Sequence, residues 1–443
     1  MTSLEELKAK VAAQKTRIPS LYGKVDFSIT PERFADQPGD ESSLRGAAAI
    51  AYRQKFLAEH ETVERARAYT MLGDTVADAY AALMPQYGFK RLIGMLTQAC
   101  DLGVETVADA PAELVAFIHA METVPQWLNM DLVREGARAS RNGAANLSPF
   151  VARGAFVATF MNKYSALPMA LTGTLSHESA VRRIKETATF FSTTALPGAL
   201  DRHGSGFKAA AMVRLMHSMV RFNILRASSK WDVSVYGIPV PQVDQMPAGT
   251  ISVFLLAFKM MRQGRTNFTA EERAVVEFNR YRCYLLGLPE ELLPDTPQGI
   301  YNAMMVYSGT LRAGYDNETC GALVRATMAA YFPADRSLKS RIFNRLEKSF
   351  AKVFFHRAFL SGDDGSKAQQ MGVVLRPVDK LVFVALSLFV FSRLGLYALA
   401  MQLPGLAAVT DRILIAKLNR QLAGYGHAEY TTDSSKYKEA RAA

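Results

Sequence analysis

Apolar residues recur at three- and four-residue intervals along most of this chain, and the alternation typical of a half-buried strand is scarce. Runs with helical spacing cover Glu61–Leu83, Ala112–Met121, Ser179–Thr193, Phe207–Ser228 and Glu271–Leu286. Helix breakers fall between them: Pro85, Pro125, Pro197-Gly198, Gly204-Ser205-Gly206, and the stretches Pro239–Pro247 and Pro289–Pro297. The pattern predicts an all-α fold, a multi-helix globular bundle. Its expected organisation is an N-terminal arm over 1–44, extended from Tyr22 to Leu44, a main domain over 45–330, and a helical tail over 331–443. No long-period repeat is visible, which argues against a solenoid.

The tail has a pattern of its own. Over Leu338–Ala358, the residues Leu338, Ile342, Leu346, Phe350 and Phe354 form one apolar stripe, flanked by Arg341, Arg345, Lys348 and Lys352. Leu381–Ser392 and Leu394–Thr410 are then uncharged, with Arg393 between them. Neither run reaches the roughly 20 residues of a clean membrane span, and Arg393 in lipid would cost several kcal/mol. The expectation is a basic amphipathic helix followed by two short apolar ones, lying on a membrane surface. A buried helical hairpin of the core fits the same pattern, and the sequence leaves both open.

Composition narrows the class. With 443 residues, 49% hydrophobic and 21% charged, the chain is an ordinary folded protein of one large or two average domains. Net charge is +11, and residues 331–443 hold 17 Lys/Arg against 9 Asp/Glu. These cations alternate with long apolar side chains rather than with Gly and stacking aromatics, so an anionic membrane fits them better than nucleic acid. Cys100, Cys283 and Cys320 are too far apart for a CxxC or CxxCH motif and read as buried, reduced thiols. The first twenty residues show no apolar secretory core. A cytoplasmic protein, peripheral to the membrane, is expected.

The chain has seven histidines, none in a short zinc spacing, and no GxSxG, P-loop or GxGxxG motif carries chemistry. His217 is different. Arg214 and Arg221 lie within roughly 60° of it on a helix, and Val213, Val220 and Ile224 make that side apolar. An imidazole between two guanidinium groups on a buried face suits a flat, apolar, dianionic ligand such as haem. A histidine on an apolar face is also often a plain core residue. In the preceding helix Arg183, Glu186, Thr187 and Phe190 share a face, which is equally the spacing of a surface ion pair. The short Leu196–Gly206 connection suggests antiparallel neighbours, with Glu186 and Thr187 across a pocket from the imidazole.

The order of these elements, RxxxTxxF, a Pro-Gly loop, then RxxHxxxR, resembles the MpaB-like and latex clearing protein family of haem b oxygenases. Arg183, Thr187 and Phe190 match the first element, and Arg214, His217 and Arg221 the second. Weaker likeness extends to Val124-Pro125-Gln126-Trp127, Leu171-Thr172-Gly173-Thr174, Tyr236-Gly237-Ile238-Pro239 with Asp244, Leu286-Gly287-Leu288 and Leu292-Leu293-Pro294. The resemblance implies non-covalent haem b with His217 as proximal iron ligand. It also implies Arg183 and Thr187 on the distal side, and Arg214 and Arg221 near the propionates or supporting the histidine. Members cleave carbon–carbon double bonds of isoprenoid chains with O₂. Rubber-cleaving members carry lysine just before the distal threonine, where this chain has Glu186, a carboxylate suited to general-base work. The expected function is thus a haem b oxygenase acting on a hydrophobic, isoprenoid or lipid-like substrate. The rivals are a non-catalytic helical lipid-binding protein and a haem carrier or sensor.

Overall fold

The computed structural model describes residues 2–44, 46–173, 177–360 and 365–425. Thr174 of the Thr-Gly segment and the last residues of the tail lie outside the described residues. The fold is all-α, as the spacing predicts: among the described residues the regular elements are helices, and extended pairing is limited to the isolated bridges Phe34–Leu311 and Ser42–Arg312. The helices that carry the functional side chains and their supports are, in chain order, α1 (Leu4–Arg17), α2 (Thr75–Ala81), α3 (Met130–Asn146), α4 (Ser148–Ala158) and α5 (His177–Thr194). They continue with α6 (Ser205–Ala227), α7 (Gln242–Arg262), α8 (Leu338–Phe359), α9 (Pro377–Gln402) and α10 (Leu406–Tyr425).

Packing separates two units that cut across the expected boundaries at 44/45 and 330/331. Of the described residues, one unit holds those up to Gly136 together with Leu200–Gly314, and the other holds those of Ala137–Ala199 together with those from Tyr315 to Tyr425. In the first unit, α1 starts from a Ser3/Glu6 capping box and buries Leu7 and Val11 in a cluster with Tyr22, Leu72, Phe222 and Ile238. The expected run Glu61–Leu83 is broken there. A helix ends at Thr70, and Asp74 caps α2 by accepting from the Ala77 amide at 3.2 Å. Pro247, expected within a breaker, lies inside α7 one and a half turns from its start.

In the second unit, Val157, Leu323, Val324, Phe355 and Leu360 centre the core. Arg153 of α4 is fully buried and donates to Glu347 of α8 at 2.8 Å and to the carbonyls of Thr327 and Ala330. The stripe expected on α8 divides: Leu338 and Ile342 are exposed, while Phe350 is buried. Lys348 and Lys352 are drawn inward to the carbonyls of Ala329 and Val374. The tail also corrects the expectation of two short apolar helices divided at Arg393, because one unbroken helix, α9, runs through the first apolar stretch and on to Gln402, and the rest of the second stretch passes into α10. Arg393 does not interrupt α9. Arginine is a good helix former, and its guanidinium lies 5.3 Å and 5.9 Å from the ring centroids of Phe389 and Tyr397, one turn either side. By length and composition α9 could cross a membrane, yet only 6% of its most apolar window is buried in the protein.

Candidate functional site

α6 is buried on nearly every side: Phe207, Ala210, Leu215, Met219, Phe222 and Ile224 are all within the core. Charges on such a helix need partners, and α2 supplies them. Arg214 forms a two-pronged pair with Asp74, its Nε meeting Oδ2 and its Nη2 meeting Oδ1 at 3.0 Å. Arg221, fully buried, pairs with Asp78 and also donates to the carbonyls of Pro239, at 3.0 Å, and Val240. The Tyr22 hydroxyl donates to the other Asp78 oxygen at 2.6 Å. Burial pushes the Asp78 carboxyl up to about 6 despite Arg221, with Asp74 adding to the rise. Burial would raise Asp74 as well, but Arg214, the Ala77 amide and Arg221 outweigh it and hold that carboxyl below its usual range.

Two glycines and one strained residue are explained by this network. A Cβ on Gly73 would stand 2.1 Å from the Tyr22 hydroxyl, and one on Gly287 would stand 2.6 Å from Arg214 Nε. Gly287 also has a φ of +84°, which side chains resist. Val240, a β-branched residue at φ +48°, is held by the bond from Arg221 to its carbonyl. The short segments Tyr236–Pro239 and Leu286–Leu288, which the sequence singles out, therefore serve the two arginines of α6: Pro239 accepts from Arg221, and Gly287 leaves room for Arg214. Asp244 has a separate duty: it takes both Nη atoms of Arg33, at 3.0 Å and 2.6 Å, and the Tyr307 hydroxyl.

His217 is half-buried between the two arginine positions. Its Nδ1 lies 3.0 Å from Oε1 of Gln245 on α7, and Gln245 in turn donates its amide nitrogen to Oε1 of Gln242. An amide oxygen only accepts, so Nδ1 is the protonated nitrogen in this contact. Metal-ligating histidines usually have their other ring nitrogen fixed by such a hydrogen bond. Among the described residues, no three of His, Cys, Asp and Glu gather into a metal cage. Cys100, Cys283 and Cys320 are buried and unbridged, and burial pushes their thiols up to about 12, 11 and 11.

α5 belongs to the second unit. Here the predicted face is real: Arg183 Nη1 donates to Glu186 Oε2 at 3.1 Å, and Phe190 is buried one turn on, edge to face with Phe191. Thr187 is half-buried beside them. Unlike a surface ion pair, this one is largely out of solvent, at 14% and 8% side-chain exposure. Oε1 of Glu186 is buried with no hydrogen-bond partner among the described residues. Burial raises the Glu186 carboxyl, while Arg183 and Arg182 pull it back without restoring the ordinary value. An orphaned, basic carboxylate oxygen has the chemistry of a proton acceptor or of a group awaiting a ligand's hydrogen bond.

Sequence reasoning found His217, the two arginines and the α5 face. It missed Asp74, Asp78, Gln242 and Gln245. The acids had a signal, two carboxylates four residues apart in the apolar run Gly73-Asp74-Thr75-Val76-Ala77-Asp78. The glutamines had none, since an amide in a helix's first turn is ordinary.

Residues 141–320 match the family model of the ER-bound oxygenase mpaB/B'/rubber oxygenase catalytic domain. That stretch holds Arg183, Glu186, Thr187, Arg214, His217 and Arg221, so the resemblance drawn from the sequence stands. A solved structure of latex clearing protein in its closed state is similar in fold, with a TM-score of 0.54 at 20% identity, covering 80% of this chain and 91% of that one. None of the curated proteins matches.

Proposed function

We propose that this protein is a haem b-dependent oxygenase that oxidises or oxidatively cleaves an alkene in a hydrophobic isoprenoid or lipid-like substrate. The matched family is one of oxygenases, and the solved relative is named for clearing latex, a polyisoprenoid material. The observation that carries the reading to this chain is the imidazole of His217, held through Nδ1 by Gln245, on a helix that is otherwise buried and charge-paired.

His217 fits an iron ligand through Nε2. Arg214 and Arg221 fit less well as propionate partners, because Asp74 and Asp78 already neutralise them; they suit the other role, that of holding the helix of His217 in place. Bound haem would supply the activation of O₂. The protein's own part lies in Gln245 fixing the ring, and in Glu186 accepting or steering a proton from the substrate through its unpartnered Oε1. Arg183 orients that carboxylate through Oε2, and Thr187 offers a hydroxyl on the same face. Where rubber-cleaving relatives carry lysine, Glu186 presents negative charge. A substrate other than rubber, with an acidic allylic proton or a donor group near the reacting bond, follows from that change.

The test is O₂ uptake by haem-loaded protein with a short polyprenyl substrate, with product carbonyls trapped by a hydrazine. Wild type consumes O₂ with substrate, and Glu186→Gln loses most of the rate while keeping its haem. Equal rates in both would remove Glu186 from the chemistry. Haem binding with no turnover on any polyprenyl or lipid alkene would leave a carrier or sensor.

A further inference from the structure

α9 is tied to its own unit at both ends and bare between. At its start, Asp379 accepts from Ser349 Oγ of α8 at 2.6 Å, and the Phe383 ring lies 4.7 Å from that of Phe350. Towards its end, the Leu394 carbonyl accepts from Asn142 of α3 at 3.0 Å, while Tyr397 and Met401 pack on Ala145, Leu414 and Leu418. The opposite side carries Leu381, Val384, Leu388, Phe391 and Leu399, within roughly 80° of one another, and every one is more than half exposed. This stripe runs along a helix of 26 residues, about 39 Å long.

We infer that this stripe is a docking surface for an anionic bilayer, entered in the plane of the membrane at the boundary of headgroups and acyl chains. Charge selects the occupant. Among the described residues from Arg336 to the end of α10, the acids Glu347, Asp379 and Asp411 are each taken up by a partner, respectively Arg153, Ser349 with Lys352, and Arg141. The cations Lys339, Arg341, Arg345, Lys380 and Arg412 are exposed. Lys339 and Arg341 flank the bare Leu338 and Ile342 of α8, Lys380 adjoins Leu381, and Arg412 adjoins the exposed Ile413. An apolar stripe rimmed by unpaired cations matches an anionic lipid surface and repels a second copy with the same rim. Packing excludes crossing. A transmembrane α9 would carry the Asn142 and Ser349 contacts to opposite depths of the bilayer, and with them α3 and α8, which hold the ionised pairs Arg141–Asp411 and Arg153–Glu347. The stripe lies outside the stretch that matches the oxygenase family, and its docking does not depend on haem.

Flotation of the full-length protein with vesicles tests this. The probes are phosphatidylcholine alone and phosphatidylcholine mixed with phosphatidylglycerol. Wild type floats with the anionic vesicles and is released by high salt. The exposed-site variant Leu381→Ser/Leu388→Ser/Leu399→Ser, checked for unchanged circular dichroism and melting, loses partitioning by roughly a thousandfold, at about tenfold per leucine. Lys339→Gln/Arg341→Gln/Arg345→Gln weakens binding to the anionic vesicles and leaves any residual binding to the neutral ones unchanged. Three results overturn the inference: no flotation of wild type; a lipid-free dimer that the leucine variant dissociates, which makes a second copy the occupant; or resistance to alkaline carbonate in expressing cells, which makes α9 a span.

Discussion

The Asp74–Arg214 pair decides whether Arg214 serves the scaffold or the cofactor. Both side chains are almost fully buried, at 3% and 8% exposure, and each oxygen of Asp74 meets a different guanidinium nitrogen. Removing one partner of such a pair strands a charge out of water, at a cost of about 3–5 kcal/mol. That is a large share of a domain's typical stability of about 5–15 kcal/mol. Asn at 74 still caps α2 towards the Ala77 amide, so Asp74→Asn isolates the loss of charge. Arg214→Met keeps the length of the side chain against the Phe117 ring, which the guanidinium now faces at 5.3 Å. Each single variant is expected to lose about 3–5 kcal/mol of unfolding free energy in haem-free protein. The double variant, with neither charge left, should lose less than the sum by about 2 kcal/mol or more. Urea unfolding followed by tryptophan fluorescence is the assay, because Trp127 and Trp231, the chain's two tryptophans, both lie in the first unit. If haem-free Arg214→Met is as stable as wild type within about 0.5 kcal/mol and only haem affinity falls, the scaffold role is refuted and Arg214 belongs to the cofactor.

Other consequences are equally direct. Because the fold raises the Glu186 carboxyl above its unfolded value of 4.5, it favours the protonated form; the neutral Glu186→Gln should therefore melt higher than wild type above the folded pKa. The gap should narrow as pH falls and close below the unfolded value, and a gap that widens in acid contradicts the burial argument. Gly287→Ala combines a left-handed backbone with a contact on Arg214, and a loss of about 2 kcal/mol or more in the same urea assay is expected. Gln245→Glu gives His217 a stronger acceptor and should lower the haem midpoint potential relative to wild type, while Gln245→Leu should raise it; potentials that do not move would remove Gln245 from the axial ligand's surroundings.

The helices and their breakers could be read because period and punctuation are local properties. The His217 helix and the Arg183–Glu186 face were visible for the same reason, as one-turn spacings. What pairs with Arg214 and Arg221 was not, since Asp74 and Asp78 stand more than a hundred residues away, and only packing brings them to α6. The arginines suggested an anionic ligand, and the fold answers them with its own carboxylates. The tail misled in a different way. Arg393 reads as a break between two apolar helices when its charge is set against lipid, whereas a helix tolerates arginine and places it over Phe389 and Tyr397. Gln245 was invisible because nothing about a lone glutamine announces its partner.

The central claim is that His217 holds haem. The most direct measurement is the absorption spectrum of protein purified from cells supplied with haem precursor, compared with His217→Ala prepared in parallel. The account predicts a Soret band in wild type that His217→Ala loses, with exogenous imidazole restoring it in the variant and helical content equal in both. A colourless wild type, or a Soret band unchanged by the substitution, would contradict it.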